Sequence, residues 1–581
     1  SAEGSEPLSY QWFFNDAEIL GAEASSYTIP NVQPSHAGLY SVRVSNAGGT
    51  ATSSGATLSV NTDFILPTVK ILAPANNFKT TASSLTVTGT ASDDREVREV
   101  LISLNGATFA PATGTTNWSA TLSLSAGTNV VEVKSVNLAG NESVPAYRTF
   151  FYSTFSLLTL QVTGEGYVTG LAKNSVLEVG KGYKATALVG AGTNSVFTNW
   201  TDASGAVIDS TNVLVFVMQS NLVLNANFIP NPFVPASGVY NGLFYETNGI
   251  QHHSAGFVTL KVNSKKSFSG KLLVDGNSVS MSGKFSLPGT VTRTVSRAKF
   301  GKPDLTVTLA LDFAGGSEQA TGTVSEPEWE SPLIADRWIW TTNNEAPFTN
   351  SYTFLVPGFS NAAEGPPGSG FGAVAINALG KIKLAGIAAD AVALKQSTMV
   401  SKNGLWPLYA PMYVLSKTVT NGLTVKTNKE FQGAVMGWLS FTNSAPAGEL
   451  SWIKQAWTNA LYSSGFIHQA PVFGSVYTPP LPGIPALQLT NGTLTVVEGN
   501  LSASYTNSLF LSTNNAFTFV STNLGGLKIS LSKKTGVFKG SFFHPDAANR
   551  VTPFSGALLQ NQNRGGGFFL GTNQAGKIYL E

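Results

Sequence analysis

Five histidines, His36, His252, His253, His468 and His544, are the chain's side chains best suited to moving protons near neutral pH. None stands in a His-x-x-x-His spacing that would bring two imidazoles to one metal, and the adjacent His252 and His253 would point to opposite faces of a strand. Surface or turn positions are expected for them. A hydrolase elbow of the form Gly-x-Ser-x-Gly is missing: Gly368-Ser369-Gly370 sits in the glycine- and proline-rich stretch Gly365 to Gly370, which reads as a flexible loop with no helix behind it. Phosphate binding lacks a full Gly-x-x-x-x-Gly-Lys-Ser/Thr loop, and Gly565-Gly566-Gly567 runs into a strand-like segment rather than a helix N-terminus. The densest acidic stretch, Glu326-Pro327-Glu328-Trp329-Glu330 with Asp336 following, is the one place where two carboxylates could flank a sugar about 5 to 9 Å apart. Three acids around a proline read instead as a solvated connection. No catalytic residue, cofactor or metal ligand is assigned, and a non-enzyme is expected. What remains is aromatic: Trp338 and Trp340, Trp406 and Tyr409, and Trp438 fall in the connections Arg337-Trp338-Ile339-Trp340, Leu405 to Tyr409 and Gly437 to Phe441. Such rings stack on sugars or anchor cores and interfaces, so these five are the candidate ligand or interface residues.

The elements that must hold them follow from composition. At roughly 150 residues per domain, 581 residues correspond to about four domains. Charged residues are 12% of the chain, about half the usual share, and the net charge is +2. A nucleic-acid partner is therefore not expected, since it would require a strong basic stripe. Plentiful glycine and aromatic residues, recurring asparagine and few helix-forming runs favour strands and turns. The absence of cysteine rules out disulfides and thiolate sites. No apolar run is long enough for a membrane-spanning helix.

Residues 1–62 carry Tyr10-Gln11-Trp12, Tyr27-Thr28-Ile29 and His36-Ala37-Gly38-Leu39-Tyr40-Ser41-Val42. Together these resemble an immunoglobulin domain, with Trp12 filling the space between sheets and Tyr40 forming a tyrosine corner. Val42 stands at the usual second cysteine position and His36 at a usual aspartate, a pattern similar to the cysteine-free repeats of bacterial surface proteins. That resemblance implies two strands ahead of Trp12 for which the chain has no room. Either the polypeptide continues upstream of Ser1, or a neighbouring molecule supplies the strands. Residues 63–153 alternate through Leu85 to Asp94, Val100 to Gly106, Trp118-Ser119-Ala120 and Asn129 to Val133, and resemble a second immunoglobulin-like or cadherin-like sandwich. Related modules can hold Ca²⁺ near a final turn, but here that position is Asn137, and Asp93, Asp94 and Glu96 are a thin oxygen supply. Residues 154–232, with Phe197, Trp200 and the closing Ala226-Asn227-Phe228, resemble an internalin-type B repeat used as a spacer. Prolines 230, 232 and 235 then mark a stiff linker.

Residues 233–581 repeat a hairpin: Phe257 to Val262 with Phe268 to Leu272, Gly372 to Ile376 with Ile382 to Ile387, and Leu527 to Leu531 with Val537 to Phe542. Apolar residues alternate with Lys, Ser and Thr, and Gly270, Gly386 and Gly540 suit a bend or bulge. An antiparallel meander closing into a barrel is expected, in one region or two subdomains. The run resembles C-terminal regions of large bacterial immunoglobulin-repeat proteins. The fold class is thus all-β: tandem sandwiches, a small spacer and a barrel-like region. The resemblances imply an extracellular or cell-surface structural or adhesive protein, partnered by copies of itself, by surface components or by glycans, and able to build filaments by strand complementation. Their alternative is a carbohydrate-binding portion of a larger secreted polysaccharide-degrading enzyme.

Overall fold

The computed structural model describes residues 1–60, 63–421, 424–441, 445–458 and 461–581, with backbone alone at 417–421 and 424–428. Nearly every element is a strand; among the described residues the one α-helix is the single turn Phe233–Ala236. The chain divides into two compact units, Ser1–Ile229 and Pro230–Glu581.

The first unit opens with a lone sheet. Strand Gly38–Asn46 pairs with Ser9–Phe14 on one side and with Gly49–Thr52 and Ala56–Leu58 on the other, placing Trp12 opposite Val42. The Tyr40 hydroxyl donates to the His36 carbonyl at 2.8 Å, the tyrosine-corner bond expected of this spacing. The residue opposite Trp12, which the immunoglobulin pattern would make a cysteine, is a valine. Among the described residues no second sheet covers this one: Ala22 is the only buried apolar side chain within 1–60, and Trp12, Val42 and Val44 are half-exposed. The boundary expected at 62/63 adjoins residues 61–62, which lie outside the described residues.

A true sandwich follows. Thr68–Ala73, Ser84–Ser92 and Asn117–Ser123 face a second sheet built on Val97–Leu104, Gly127–Asn137 and Ala146–Tyr152. Trp118, Phe150, Val87, Val100, Val131 and Val133 fill the space between them. The next module packs Trp200, fully buried, with Phe197 and Phe228 at ring separations of 5.8 Å and 5.5 Å from Phe197.

The second unit holds three eight-stranded sheets, one more than the two subdomains the hairpin spacing allowed for. They span strands Gly238–Phe244 to Trp329–Trp338, Asn350–Val356 to Phe466–Val476, and Gly492–Glu498 to Ala575–Leu580. In each, the first strand pairs with the eighth: Val239 faces Trp338, Tyr352 faces Val476 and Leu494 faces Leu580. This pairing rolls each meander into a barrel-like sheet with one unpaired seam, so its two edges meet instead of lying open. The seam follows the fourth strand in the first two barrels and the third strand in the last.

All three hairpins read from sequence exist, but they are not equivalent. The first two are strands two and three of their barrels, whereas Lys528–Leu531 and Val537–His544 are strands four and five. Gly270, Gly386 and Gly540 pass through their ladders with no register shift, so they are not bulges. They let strands and rings approach: a Cβ on Gly386 would lie 2.5 Å from the Phe371 carbonyl, and one on Gly540 2.1 Å from the Phe554 ring.

The alternation that lines each barrel also leaves outward side chains for its neighbour. Val258, Leu260 and Val262 point into the first barrel, while Leu243, Ala255 and Phe257 meet Tyr409, Ala434 and Met436 of the second. The two-residue turn Asp275-Gly276, both at positive φ as a tight hairpin requires, sets the Gly276 amide against the Tyr409 hydroxyl at 3.1 Å. The third barrel joins through Phe568, 6.2 Å from Phe371, and through the Tyr477 hydroxyl, which donates to the Lys533 carbonyl at 2.7 Å.

Candidate functional site

Burial sorts the five candidate aromatics. Trp406, in the inward register of the second barrel, is wholly buried, and its indole N–H donates to Gln396 Oε1 at 2.8 Å. Trp340 is buried in the same core and donates to the Val400 carbonyl at 3.2 Å. Tyr409 is buried between the first two barrels; Trp438 is half-buried beside it, and Trp338, half-buried, donates to the Leu379 carbonyl at 2.7 Å. Trp340, Trp406 and Tyr409 therefore have no ring face to offer a sugar, and the connections that carried them are strands and core anchors. Ring size was visible in the sequence; which side of the strand faced solvent was not.

The titratable groups rearrange in the same way. His252, in a turn as the surface-or-turn expectation allows, and His544, on a strand and contrary to it, are both buried, and each donates through Nε2 to a backbone carbonyl: Phe431 at 2.8 Å and Gly499 at 2.9 Å. Because a carbonyl only accepts, Nε2 carries the proton, and the buried Nδ1 of each ring has no partner among the described residues. His252 and His253 lie in a turn, not on a strand. Glu326-Pro327-Glu328-Trp329 is a tight hairpin with Pro327 and Glu328 exposed, as a solvated connection would be, while Glu326 reaches back to Arg297. Arg297, 3% exposed, also holds Asp275 at 3.2 Å, and Lys302 reaches Asp275 at 2.6 Å. Asp336 is buried and accepts from the Gln319 amide at 2.9 Å; burial pushes its carboxyl above the usual carboxylate range. Burial likewise raises Asp390, which accepts from the Tyr413 hydroxyl at 2.5 Å, and Tyr413 in turn accepts from the Trp452 indole at 2.8 Å. Asp275 and Asp390 are held by these partners, whereas the buried Asp336 keeps Oδ2 without a hydrogen-bond partner among the described residues.

One carboxylate group was only partly visible in the sequence. Single oxygens from Asp63, Asp93 and Asp94 lie within 4.8 Å of one another, a donor set that could hold a hard divalent cation. Asp63 arrives from the segment ahead of the second sandwich and had no motif around it. The Asn137 amide nitrogen bonds Asp63 at 3.1 Å and the Ile65 carbonyl at 3.1 Å, so an amide already serves some of these oxygens.

A cleft between the second and third barrels gathers exposed aromatics with charge. Its volume is 290 Å³. Phe473, from strand Phe466–Val476, and Tyr579, from the last strand, are each 40% exposed at its rim. Lys577, Tyr579 and Glu581 follow at every second residue and so share one face of their strand. Tyr579 stands opposite Gly566, which has no side chain to cover its ring. The segment Gly365 to Gly368, expected as a flexible loop, is buried and forms part of the wall; Phe359 donates its amide to the Pro366 carbonyl at 2.9 Å and stacks on His468 at 4.1 Å. The Arg564 guanidinium lies 5.8 Å from the centre of the Phe473 ring and donates through Nε and Nη2 to Gln562 Oε1 at 3.0 and 2.7 Å. Lys577 pairs with Glu498 at 2.8 Å.

Residues 67–133 match the family model of a bacterial Ig domain. That span covers most of the second sandwich, from its first strand through Trp118 to Val133. No curated protein sequence matches the chain. Among solved structures, the chain is similar to the fibronectin(III)-like modules of Clostridium thermocellum CbhA, at 18% identity and a TM-score of 0.22, covering 26% of this chain and 82% of that one. It is also similar to the isotype 1 transferrin binding protein B of Neisseria meningitidis, at 10% identity and a TM-score of 0.15, covering 72% of this chain and 86% of that one. A third likeness, to Bacteroides ovatus SGBP-B in complex with a mixed-linkage heptasaccharide, has 12% identity and a TM-score of 0.11, covering 60% and 72%. At these scores the structural likenesses carry no functional argument.

Proposed function

We propose that this is a non-enzymatic structural or adhesive protein of the bacterial cell surface, whose first sheet is completed by strands from a neighbouring copy. The observation that carries this reading is the uncovered sheet of residues 1–60. Leu8, Tyr10, Trp12, Val42 and Val44 line an open groove of 620 Å³ where an immunoglobulin sandwich would have its second layer. A half-exposed tryptophan and two valines on one sheet face form an adhesive surface, and an added strand would bury them. The ion pairs on Asp275 and the hydrogen bond on Asp390 support a non-enzymatic role. Low charge favours close lateral packing of copies. The test is electron microscopy and sedimentation of the chain at high concentration. Regular filaments that Val44→Lys disperses are the expected result, and a monodisperse monomer at all concentrations would sink the strand-complementation reading.

A second reading is favoured by the cleft at Phe473 and Tyr579: a carbohydrate-binding portion of a larger secreted polysaccharide-degrading enzyme. Exposed rings beside polar side chains are the usual make-up of a sugar-binding cleft. Retention on polysaccharides that Phe473→Ala and Tyr579→Ala abolish is the expected outcome; absence of retention across neutral and acidic polysaccharides would discard this reading.

A further inference from the structure

Arg564 differs from the other arginines of the barrels that are withdrawn from water. Arg297 pairs with Asp275 and Glu326, and Arg337 pairs with Glu318 at 3.0 Å. Half-buried Arg564 has no carboxylate within ion-pair distance among the described residues; its acceptors are the neutral Gln562 amide oxygen and the Phe473 ring. Two guanidinium N–H groups converge on that one oxygen, which is the arrangement a carboxylate fills better, because a charged acceptor makes shorter and stronger bonds. Gln562 is exposed and can swing away. Lys577, the other cation of the cleft, is already neutralised by Glu498. Glu581 carries the cleft's remaining negative charge and lies beyond Tyr579 on the same strand face. Gly565 pairs with Leu580, so the next positions, Arg564 and Glu581, stand opposite each other on neighbouring strands, and the cleft's remaining cation and anion lie side by side without an ion pair among the described residues.

We propose that this cleft binds a chain of uronic acid residues, with a sugar carboxylate replacing Gln562 on Arg564 and pyranose rings lying against Phe473 and Tyr579. The inference rests on the carbohydrate reading above and adds the class of sugar. The volume of 290 Å³ is at the lower bound of roughly 300 Å³ for ligand clefts, which suits a short segment of polymer passing through rather than an enclosed small molecule.

The test is affinity electrophoresis and calorimetry of the full chain with polygalacturonate and with a neutral galactan. The expected result is retention by polygalacturonate that weakens at least tenfold in Arg564→Gln, weakens with added NaCl, and is lost in Tyr579→Ala. Near-UV circular dichroism checks that each variant is folded, and Arg564→Lys, which keeps the charge but not the fork, provides a second, milder loss. Equal binding of the neutral galactan, unchanged in Arg564→Gln but lost in Tyr579→Ala, would overturn the uronate assignment while leaving the carbohydrate reading standing. Binding of neither polymer would overturn both.

Discussion

Replacing Trp406 by alanine separates an anchor from a ligand contact. The indole is wholly buried in the second barrel, stacks on Phe441 at 5.9 Å and donates to Gln396. Removing so large a buried side chain costs about 3 to 5 kcal/mol. The Gln396 carbonyl then loses its donor, a further cost of about 1 kcal/mol or more. A loss of about 4 to 6 kcal/mol is a large part of the roughly 5 to 15 kcal/mol that holds a domain folded. With a urea slope of about 2 kcal/mol per molar for a barrel unfolding as a unit, the midpoint should fall by about 2 to 3 M. The assay is urea denaturation followed by near-UV circular dichroism, with Tyr579→Ala as the comparison. Because Tyr579 is 40% exposed, its loss should shift the midpoint only slightly. An unchanged midpoint for Trp406→Ala, accompanied by selective loss of polysaccharide retention, would refute the core assignment and restore Trp406 as a ligand residue.

Arg297→Met should destabilise the first barrel by about 3 to 5 kcal/mol, because Glu326 and Asp275 lose a buried countercharge; adding Glu326→Gln should recover part of that loss, and an additive double mutant in thermal melts would contradict the network. Burial holds the His252 pKa below its ordinary value, so the folded state favours the neutral ring and stability is fully present above about pH 6.5. It should decline as pH falls below that value, by no more than about 1.4 kcal/mol per pH unit, and the decline should flatten in His252→Gln; identical pH profiles for the two proteins would exclude His252 as the cause. Asn137→Ala should cost about 2 to 4 kcal/mol in the second sandwich, since its buried amide joins Asp63, the Ile65 carbonyl and the Asn141 amide; hydrogen exchange at Asn141 should rise with it, and unchanged protection there would argue against the link.

Strand periodicity and turn chemistry are local, and the residues carried them well. Tyr40, two residues before the usual cysteine position, predicted the corner bond, and the alternation of Phe257 to Val262 predicted a hairpin strand with one buried face. The lack of cysteine already excluded thiolate chemistry, and the low charge set the expectation against a phosphate-binding stripe. Those properties depend on neighbours in sequence or on composition alone, so no fold is needed to read them.

The candidate site was less legible, because it depends on which strands become neighbours. In sequence, Trp406 and Phe473 are both aromatic residues in β-rich segments, yet one is sealed inside a barrel and the other stands 40% exposed at a cleft. The alternating Lys577, Tyr579 and Glu581 were a readable signal of one strand face, but only Gly566 opposite Tyr579 leaves that ring uncovered. Arg564 could not be distinguished from Arg297 until the hairpin at Glu326 supplied one with a carboxylate and not the other. Asp63 met Asp93 and Asp94 only through the packing of the segment before the second sandwich. Sequence by itself thus determined the strands, their turns and the absence of thiol chemistry. Tertiary structure decided the number of barrels, the burial of the tryptophans and the pairing of the charges, since closure between a first and an eighth strand is set by contacts more than a hundred residues apart in one barrel.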